Sequence, residues 1–309
     1  MTNSSFSPLR VLTYLFLVSV GLTMIVPLWF MLATALKGTQ EVYASSGSLL
    51  AMLTPEHWRW ENFAKVSQAI PFWRYYGNSM AVALLTTLGQ VITSSLAAYA
   101  FARLRFPGRD PLFFCYLSTM MIPGAVTMVP NFIFLSKLPE WLAAIWPAIP
   151  WKEYWVVDPW LLPVGRLVGL DSYFSLIVPA MFSAYGTFML RQFFLNLPRE
   201  LEEAAEVDGC GLFRIFLNVT LPLSLPAIAT LGIFTFLGSW GNFMWPLVVT
   251  NKDYMRVLPV GLQAFQGQNS TDWPLLMAAS LLALLPSVAI FLAGQRFFIS
   301  GIQLGGVKG

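Results

Sequence analysis

Residues Val11–Leu36 read VLTYLFLVSVGLTMIVPLWFMLATAL, without one charged side chain from end to end. An α-helix needs about 20 mostly apolar residues to cross the hydrocarbon core of a bilayer. In lipid, every backbone amide must find its partner inside its own segment, so a stretch of this length and polarity is read as a spanning helix. The polar/apolar alternation of a membrane strand is missing. A cleaved leader would have a shorter apolar core and a small-x-small site behind it. Here only Arg10 charges the front and no such site follows, so a permanent span is expected.

Five further stretches meet the same test or come close: Asn78–Ala102, Pro111–Ser136, Ser172–Leu190, Leu221–Asn251 and Pro274–Gln295. The expectation is an all-α polytopic membrane protein, one domain over residues 1–309 with six transmembrane helices. Composition agrees. Hydrophobic residues make up 57% of the chain and charged ones 11%, against about 25% charged in a soluble domain. Eighteen Lys and Arg against 15 Asp and Glu leave no basic excess to suggest nucleic acid. Cys115 and Cys210 lie far apart with no CxxC spacing and are read as free thiols. His57 is the only histidine and cannot build a metal site alone, so neither a metal nor a catalytic residue is expected.

Six spans place both ends on one side. The short segments that would then face the cytoplasm carry Arg10, the compact Arg103, Arg105 and Arg109 set, Arg191, Arg199 and Arg214, and finally Arg296 and Lys308. The positive-inside bias favours this orientation. Prolines punctuate most spans, at 27, 123, 130, 179, 226, 246 and 286, and each tends to kink its helix. Two long connectors fall outside. Residues 37–77 carry Trp58, Arg59, Trp60, Phe72, Trp73 and Arg74, an interfacial belt. Residues 137–171 hold Trp141, Trp146, Trp151, Trp155 and Trp160 among prolines, with Trp141–Trp151 uncharged but too short to span. That connector reads as a surface-lying or re-entrant segment, or as a docking surface for an external partner.

Charge is scarce, yet it concentrates in one loop, residues 191–220. Around its centre stands LPRELEEAAEVDGCG, from Leu197 to Gly211. Pro198 suits the first turn of a short helix, and Glu200, Glu202 and Glu203 suit its positive end. Leu201, Ala204, Ala205 and Asp208 share one face, and Gly209 is placed to cap the helix in the left-handed region. Leu212–Val219 is expected as a second short helix. A helix resting on the lipid surface usually carries Lys and Arg. This one is acidic and would be repelled by anionic lipid, so docking on a soluble partner is the stronger reading. Alanines allow close approach, the acids fix orientation, and a rigid elbow passes a push into the spans.

Glu203-Ala204-Ala205, Gly209, Val219 and Leu221-Pro222 match, with every spacing kept, the E-A-A, three residues, G, nine residues, I, one residue, L-P pattern. The loop thus resembles the EAA motif of binding-protein-dependent ABC importer permeases, with Val219 in place of isoleucine. Ala35-Leu36-Lys37, Glu41-Val42-Tyr43, Asn78-Ser79, Ala102-Arg103, Phe106-Pro107-Gly108, Gly169–Tyr173, Leu190–Phe194 and the tail from Gln295 to Gly309 are similar to the smaller permease of the maltose-importer type, in the carbohydrate-uptake branch. The similarity stops over Leu138–Val168, where the chain carries an insertion. It also departs at Gly241-Asn242, where the family often has an amide followed by an acid.

The resemblance implies the type I ABC importer permease fold in a bacterial or archaeal inner membrane. It implies a heterodimer with a second permease subunit, two ATP-binding subunits that hold ATP and Mg, and an extracytoplasmic solute-binding protein. It implies no enzyme activity and no cofactor in this chain, in keeping with the absence of a G-x-x-x-x-G-K-[ST] phosphate loop. Glu203, Ala204, Ala205, Asp208, Gly209, Val219, Leu221 and Pro222 would form the ATPase-coupling site. The solute would be a carbohydrate, a sugar or oligosaccharide, with glycerol 3-phosphate or another polyol-like solute as the alternative. Asn131, Tyr185, Trp240 and Asn242 are the span residues with the amide and aromatic chemistry of a sugar path, although each also suits helix packing. A secondary transporter would need ionisable groups in mid-span, and a membrane enzyme a convergent catalytic set. Neither is present in the sequence.

Overall fold

The computed structural model describes residues 8–44, 47–149, 151, 166–267 and 270–306, with side chains from Leu12 to Arg296. Among the described residues the only β feature is one isolated bridge, Gln266 to Thr271. The chain packs as two compact units. One holds residues up to Phe72 together with Gly261–Leu285, and the other holds Trp73–Val260 together with the chain from Pro286.

In the first unit, α1 (Pro8–Ala35) supplies the span Leu12–Ala35. Its side chains from Leu12 to Phe30 are exposed, Met24 by 72%, as a helix whose solvent is lipid or another apolar chain would be. The connector 37–77 is not an open loop. It folds as α2 (Thr39–Ala44), α3 (Leu49–Leu53) and α4 (Glu61–Ala69) against the end of α1. The reason is the carbonyl groups that every helix end leaves unpaired. Asn62 Nδ2 donates to Ala35 O at 2.8 Å and Lys37 O at 2.9 Å, and Arg59 N donates to Leu36 O. Lys37 is 1% exposed. Its Nζ donates to Ala51 O and Met52 O at the end of α3, and burial pushes its pKa below the ordinary lysine value against the pull of Glu41 and Glu56. The first part of α16 (Trp273–Gly306) completes this unit.

The second unit contains α5 (Phe72–Arg103) from Trp73 onward; this helix starts earlier than Asn78 and takes Phe72, Trp73 and Arg74 into its first turn. Then follow α6 (Arg109–Ser118), a 3₁₀ turn, and α7 (Gly124–Ile145). The stretch Pro111–Ser136 is therefore not one straight span, because the chain bends by 98° between its two helices. Pro123 sits at the break and disfavours helical geometry in the residue before it. α7 also carries Trp141 in a helix that runs to Ile145. The rest of the Trp-rich insert, residues 150 and 152–165, lies outside the described residues, as do residues 307–309 of the tail.

Next come α8 (Tyr173–Ile177) and α9 (Ala184–Leu195), which make one span over Tyr173–Leu195. Beyond them lie α10 (Glu200–Val207), α11 (Leu212–Ile215), a π turn over Phe216–Thr220, α12 (Leu221–Leu223) and α13 (Leu225–Trp240). A second bend, of 78°, separates α12 from α13. The span expected over Leu221–Asn251 is thus shorter and ends at Trp240. α14 (Met244–Val249) and α15 (Leu258–Gly261) follow as separate short helices. Counting each bent pair once, the helices long and apolar enough to cross a membrane number six among the described residues.

Two clusters hold the second unit. Ala98, Tyr99 and Ala102 of α5 pack with Leu190 and Phe194 of α9, Phe216 and Leu231. Close approach depends on Gly186, where an added Cβ would lie 2.7 Å from Ser94 Oγ. At the other end Val82, Leu176, Val249 and Met255 form the core. Polar groups lock that end. Asn78 Nδ2 donates to Tyr254 O and Arg256 O, and Asn78 Oδ1 accepts from Tyr173 Oη at 2.7 Å. Buried Asp171, in the left-handed region at φ 54°, accepts from Lys252 N at 2.9 Å and from Asn251 N.

Candidate functional site

The acidic elbow forms as its residue types dictate. α10 starts at Glu200 with Arg199 as its N-cap, so Pro198 lies before the helix and not in its first turn. The Arg199 carbonyl accepts from the amides of both Glu202 and Glu203 at 2.9 Å. Gly209 sits at φ 81°. Cys210 N donates to Ala205 O at 2.9 Å, and Gly209 N donates to Glu206 O at 3.0 Å. These are the two bonds of a Schellman stop, which needs the left-handed residue that glycine provides most readily. The chain then turns sharply into α11.

One side chain roots this elbow. Glu202 Oε1 lies 3.0 Å from Arg103 Nε, the two side chains being 14% and 4% exposed. It is an ion pair, not an aligned hydrogen bond, because the Nε–H points elsewhere. Thr220 Oγ1 donates to the same carboxylate oxygen at 3.2 Å. Arg103 Nη2 donates to Leu197 O at 2.9 Å. The last turn of α5, the start of α10 and the π turn before α12 therefore meet on one carboxylate. Arg191 braces the same region, its guanidinium 4.2 Å over the Phe113 ring and its Nε donating to Phe101 O. From sequence, Glu202 stands as a first-turn acid and Arg103 as one of the basic residues of the α5–α6 turn, with nothing that pairs them or points to Thr220. The available signal was an acid and a base in two short connectors of a chain that has few of either.

The outer surface of the elbow is uncovered. Glu203, Ala204, Asp208, Gly209 and Pro222 are exposed, while Ala205, Val219 and Leu221 are half-buried. Among them stand apolar side chains that water disfavours: Val207 is 88% exposed, Phe213 66% and Leu212 53%. Exposed apolar groups grouped in this way are a feature that protein contact surfaces share.

The four residues considered for a solute path separate. Asn131 of α7 and Asn242, after α13, line one cavity of about 420 Å³ with Thr127, Met128, Pro179 and Trp245. Asn242 and Ala180 also line an adjoining cavity of about 220 Å³ that adds Ser79, Thr86, Gln90, Thr235 and Ser239. Gln90 Nε2 donates to Thr235 Oγ1 at 2.9 Å, and the buried Thr86 hydroxyl has no partner. Among the described residues, no charged side chain lines either cavity. Trp240 is instead a packing residue, 6% exposed, stacked on Phe236 and edge-on to Tyr76 at 5.3 Å. Tyr185 is 49% exposed and lines neither cavity.

Comparison with known proteins fits this geometry. The profile of the family described as "Binding-protein-dependent transport system inner membrane component" matches residues 90–303. The arabinooligosaccharides transport system permease protein AraQ of Bacillus subtilis is 32% identical over 308 residues, covering 99% of each chain. The sn-glycerol-3-phosphate transport system permease protein UgpE of Escherichia coli is 34% identical over 281 residues, 89% of each. A chain in the crystal structure of a bacterial ABC transporter involved in the import of the acidic polysaccharide alginate superposes with a TM-score of 0.75 at 18% identity, covering 96% of this chain and 99% of that one. That likeness extends to the fold. With the profile spanning the elbow and most of the helices, and relatives matched over nearly the whole length, the chain belongs to the family of binding-protein-dependent transport system inner membrane components.

Proposed function

We propose that this permease forms half of a translocation pathway for a sugar or oligosaccharide and is driven by a separate ATP-hydrolysing subunit that grips the Glu203–Gly209 elbow. Both termini lie in the cytoplasm in this reading, and so does the elbow. A second permease subunit completes the pathway, two ATP-binding subunits carry ATP and Mg, and a binding protein delivers the solute from outside. The observation that carries the reading is the elbow itself: an outer face of acids and bare apolar side chains on a helix rooted through Glu202 in the end of a span. Movement of the motor would be transmitted through Arg103 to α5 and through Thr220 toward α12 and α13. That is a two-state element biased by ATP on one side and by the loaded binding protein on the other.

The cavities support a neutral, hydroxyl-rich solute. Amides and hydroxyls at Asn131, Asn242, Gln90 and Ser239 offer both donors and acceptors, as sugar hydroxyls require. Glycerol 3-phosphate, the cargo in the name of one relative, would call for charge-assisted contacts, and the described residues that line these two cavities supply none.

The test is site-directed cross-linking in the assembled transporter. Ala204→Cys and Ala205→Cys should each capture the nucleotide-hydrolysing subunit. Glu203→Lys should insert normally yet abolish uptake. Failure of both cysteines to reach that subunit, with full uptake by Glu203→Lys, would remove the docking role.

A further inference from the structure

A third cavity, of about 640 Å³, opens at the turn between α5 and α6, and none of the solute-path or coupling residues named above lines it. Its wall is Arg105 to Pro111 together with Arg199, the cap residue of α10. Three arginines line it against one acid. That acid is already engaged: Asp110 Oδ1 lies 2.8 Å from Arg109 Nε. The nearby Glu202 is turned to Arg103 and Thr220. Glu200, next to Arg199 in the chain, is not part of the wall. Arg105 and Arg199 are exposed and take part in none of the ion pairs found among the described residues.

Both α6 and α10 begin at this cavity, and neither has a side-chain cap at its N-terminus. The first turns of both helices already carry acids, Asp110 in α6 and Glu200, Glu202 and Glu203 in α10, so the positive character of the cup comes from the two uncommitted guanidinium groups of Arg105 and Arg199. Gly108, at φ 80°, makes the turn in the left-handed region that glycine adopts most readily. Immediately beyond, Leu112 and Phe114 of α6, in the first half of a bent candidate span, are 55% and 71% exposed.

We propose that this cup binds the phosphate of an anionic phospholipid, with Arg105 and Arg199 as its principal contacts and the acyl chains lying along Leu112 and Phe114. The headgroup chemistry follows from unneutralised arginines that can grip phosphate oxygens two at a time. The lipid, in preference to free phosphate, follows from the position: the cup sits at the end of two spans and opens beside uncovered apolar side chains. A site for a soluble anion would have no use for Phe114. The lipid would bridge the α5–α6 turn to the cap of α10, so its loss would loosen the root of the elbow.

The experiment uses the complete transporter in nanodiscs of phosphatidylcholine with a minor fraction of phosphatidylglycerol, extracted gently and weighed by native mass spectrometry. The wild type and Arg214→Gln, a control at another exposed arginine, should retain phosphatidylglycerol. The double variant Arg105→Gln/Arg199→Gln should retain at least about tenfold less, having lost two charge-assisted contacts. The charge-keeping Arg105→Lys/Arg199→Lys should retain more than the glutamine pair, which separates lost charge from a damaged fold. Equal retention by wild type and the glutamine pair would overturn the proposal. So would displacement of the lipid by excess inorganic phosphate, which would make the cup a free-anion site. Loss of the ATPase subunit from the glutamine pair would overturn it too, by showing that protein covers this face.

Discussion

Replacing Glu202 by glutamine removes the charge that faces Arg103 and keeps the size and the acceptor for Thr220. The pair is largely out of water, at 14% and 4% exposure. Breaking a buried pair by removing one partner costs about 3–5 kcal/mol, because the remaining charge is left uncompensated. Two facts lower that figure here. Arg103 keeps its bond to Leu197 O, and the carbonyl of the introduced side-chain amide can still accept from Thr220. A net loss of about 2–3 kcal/mol is expected, which corresponds to about 30- to 150-fold more frequent detachment of the elbow from α5. Hydrogen exchange on the assembled transporter reads this directly. Amides of 203–210 should exchange faster by that factor in Glu202→Gln, while 228–240 in α13 should not change. The charge-swapped Arg103→Glu/Glu202→Arg should recover part of the protection, which neither single swap would do. Exchange at wild-type rates in Glu202→Gln, or a double swap no better than the singles, would refute the idea that this pair roots the elbow.

Gly209 separates backbone strain from partner contact. A residue with a Cβ in the left-handed region costs about 1–2 kcal/mol, with Asn the mildest, and nothing lies within 4 Å to clash; Gly209→Asn should therefore keep most uptake, and Gly209→Asp, of the same shape, should lose it while ATP hydrolysis continues. In the cavities, Asn131→Ala and Asn242→Ala should raise the KM for the transported solute several-fold, whereas Trp240→Ala should lower the thermal midpoint of the complex instead, as read by a solute-concentration series and a melting curve. Gly186→Val should cost about 1–3 kcal/mol by overpacking α9 against Ser94 and Leu231, seen as a lower melting midpoint with unchanged solute affinity in the protein that survives. In the first unit, Lys37 should resist acylation by an amine-reactive ester while Lys65, whose side chain is 47% exposed, reacts; peptide mass spectrometry of the labelled protein gives the ratio.

Length and polarity alone made Val11–Leu36 and Pro274–Gln295 spans, because lipid demands that a long uncharged segment satisfy its own backbone. The elbow was equally legible, since Gly209, the acids before it and the alanines between them are each required by local geometry. The breaks were less so. Pro123 and Pro226 sit among many prolines, and local sequence does not tell which of them merely tilts a helix and which turns the chain through 98° or 78°. Pairings across sequence were not legible at all. Glu202 meets Arg103 and Thr220, and Asn131 joins Asn242 at one cavity while Trp240 is taken into packing, only because distant helices are brought together by small residues such as Gly186 and Ala98. Backbone hydrogen bonding and hydrophobicity act within a segment and are written in its own letters. The choice of partners depends on how the segments pack, which the tertiary structure alone decides.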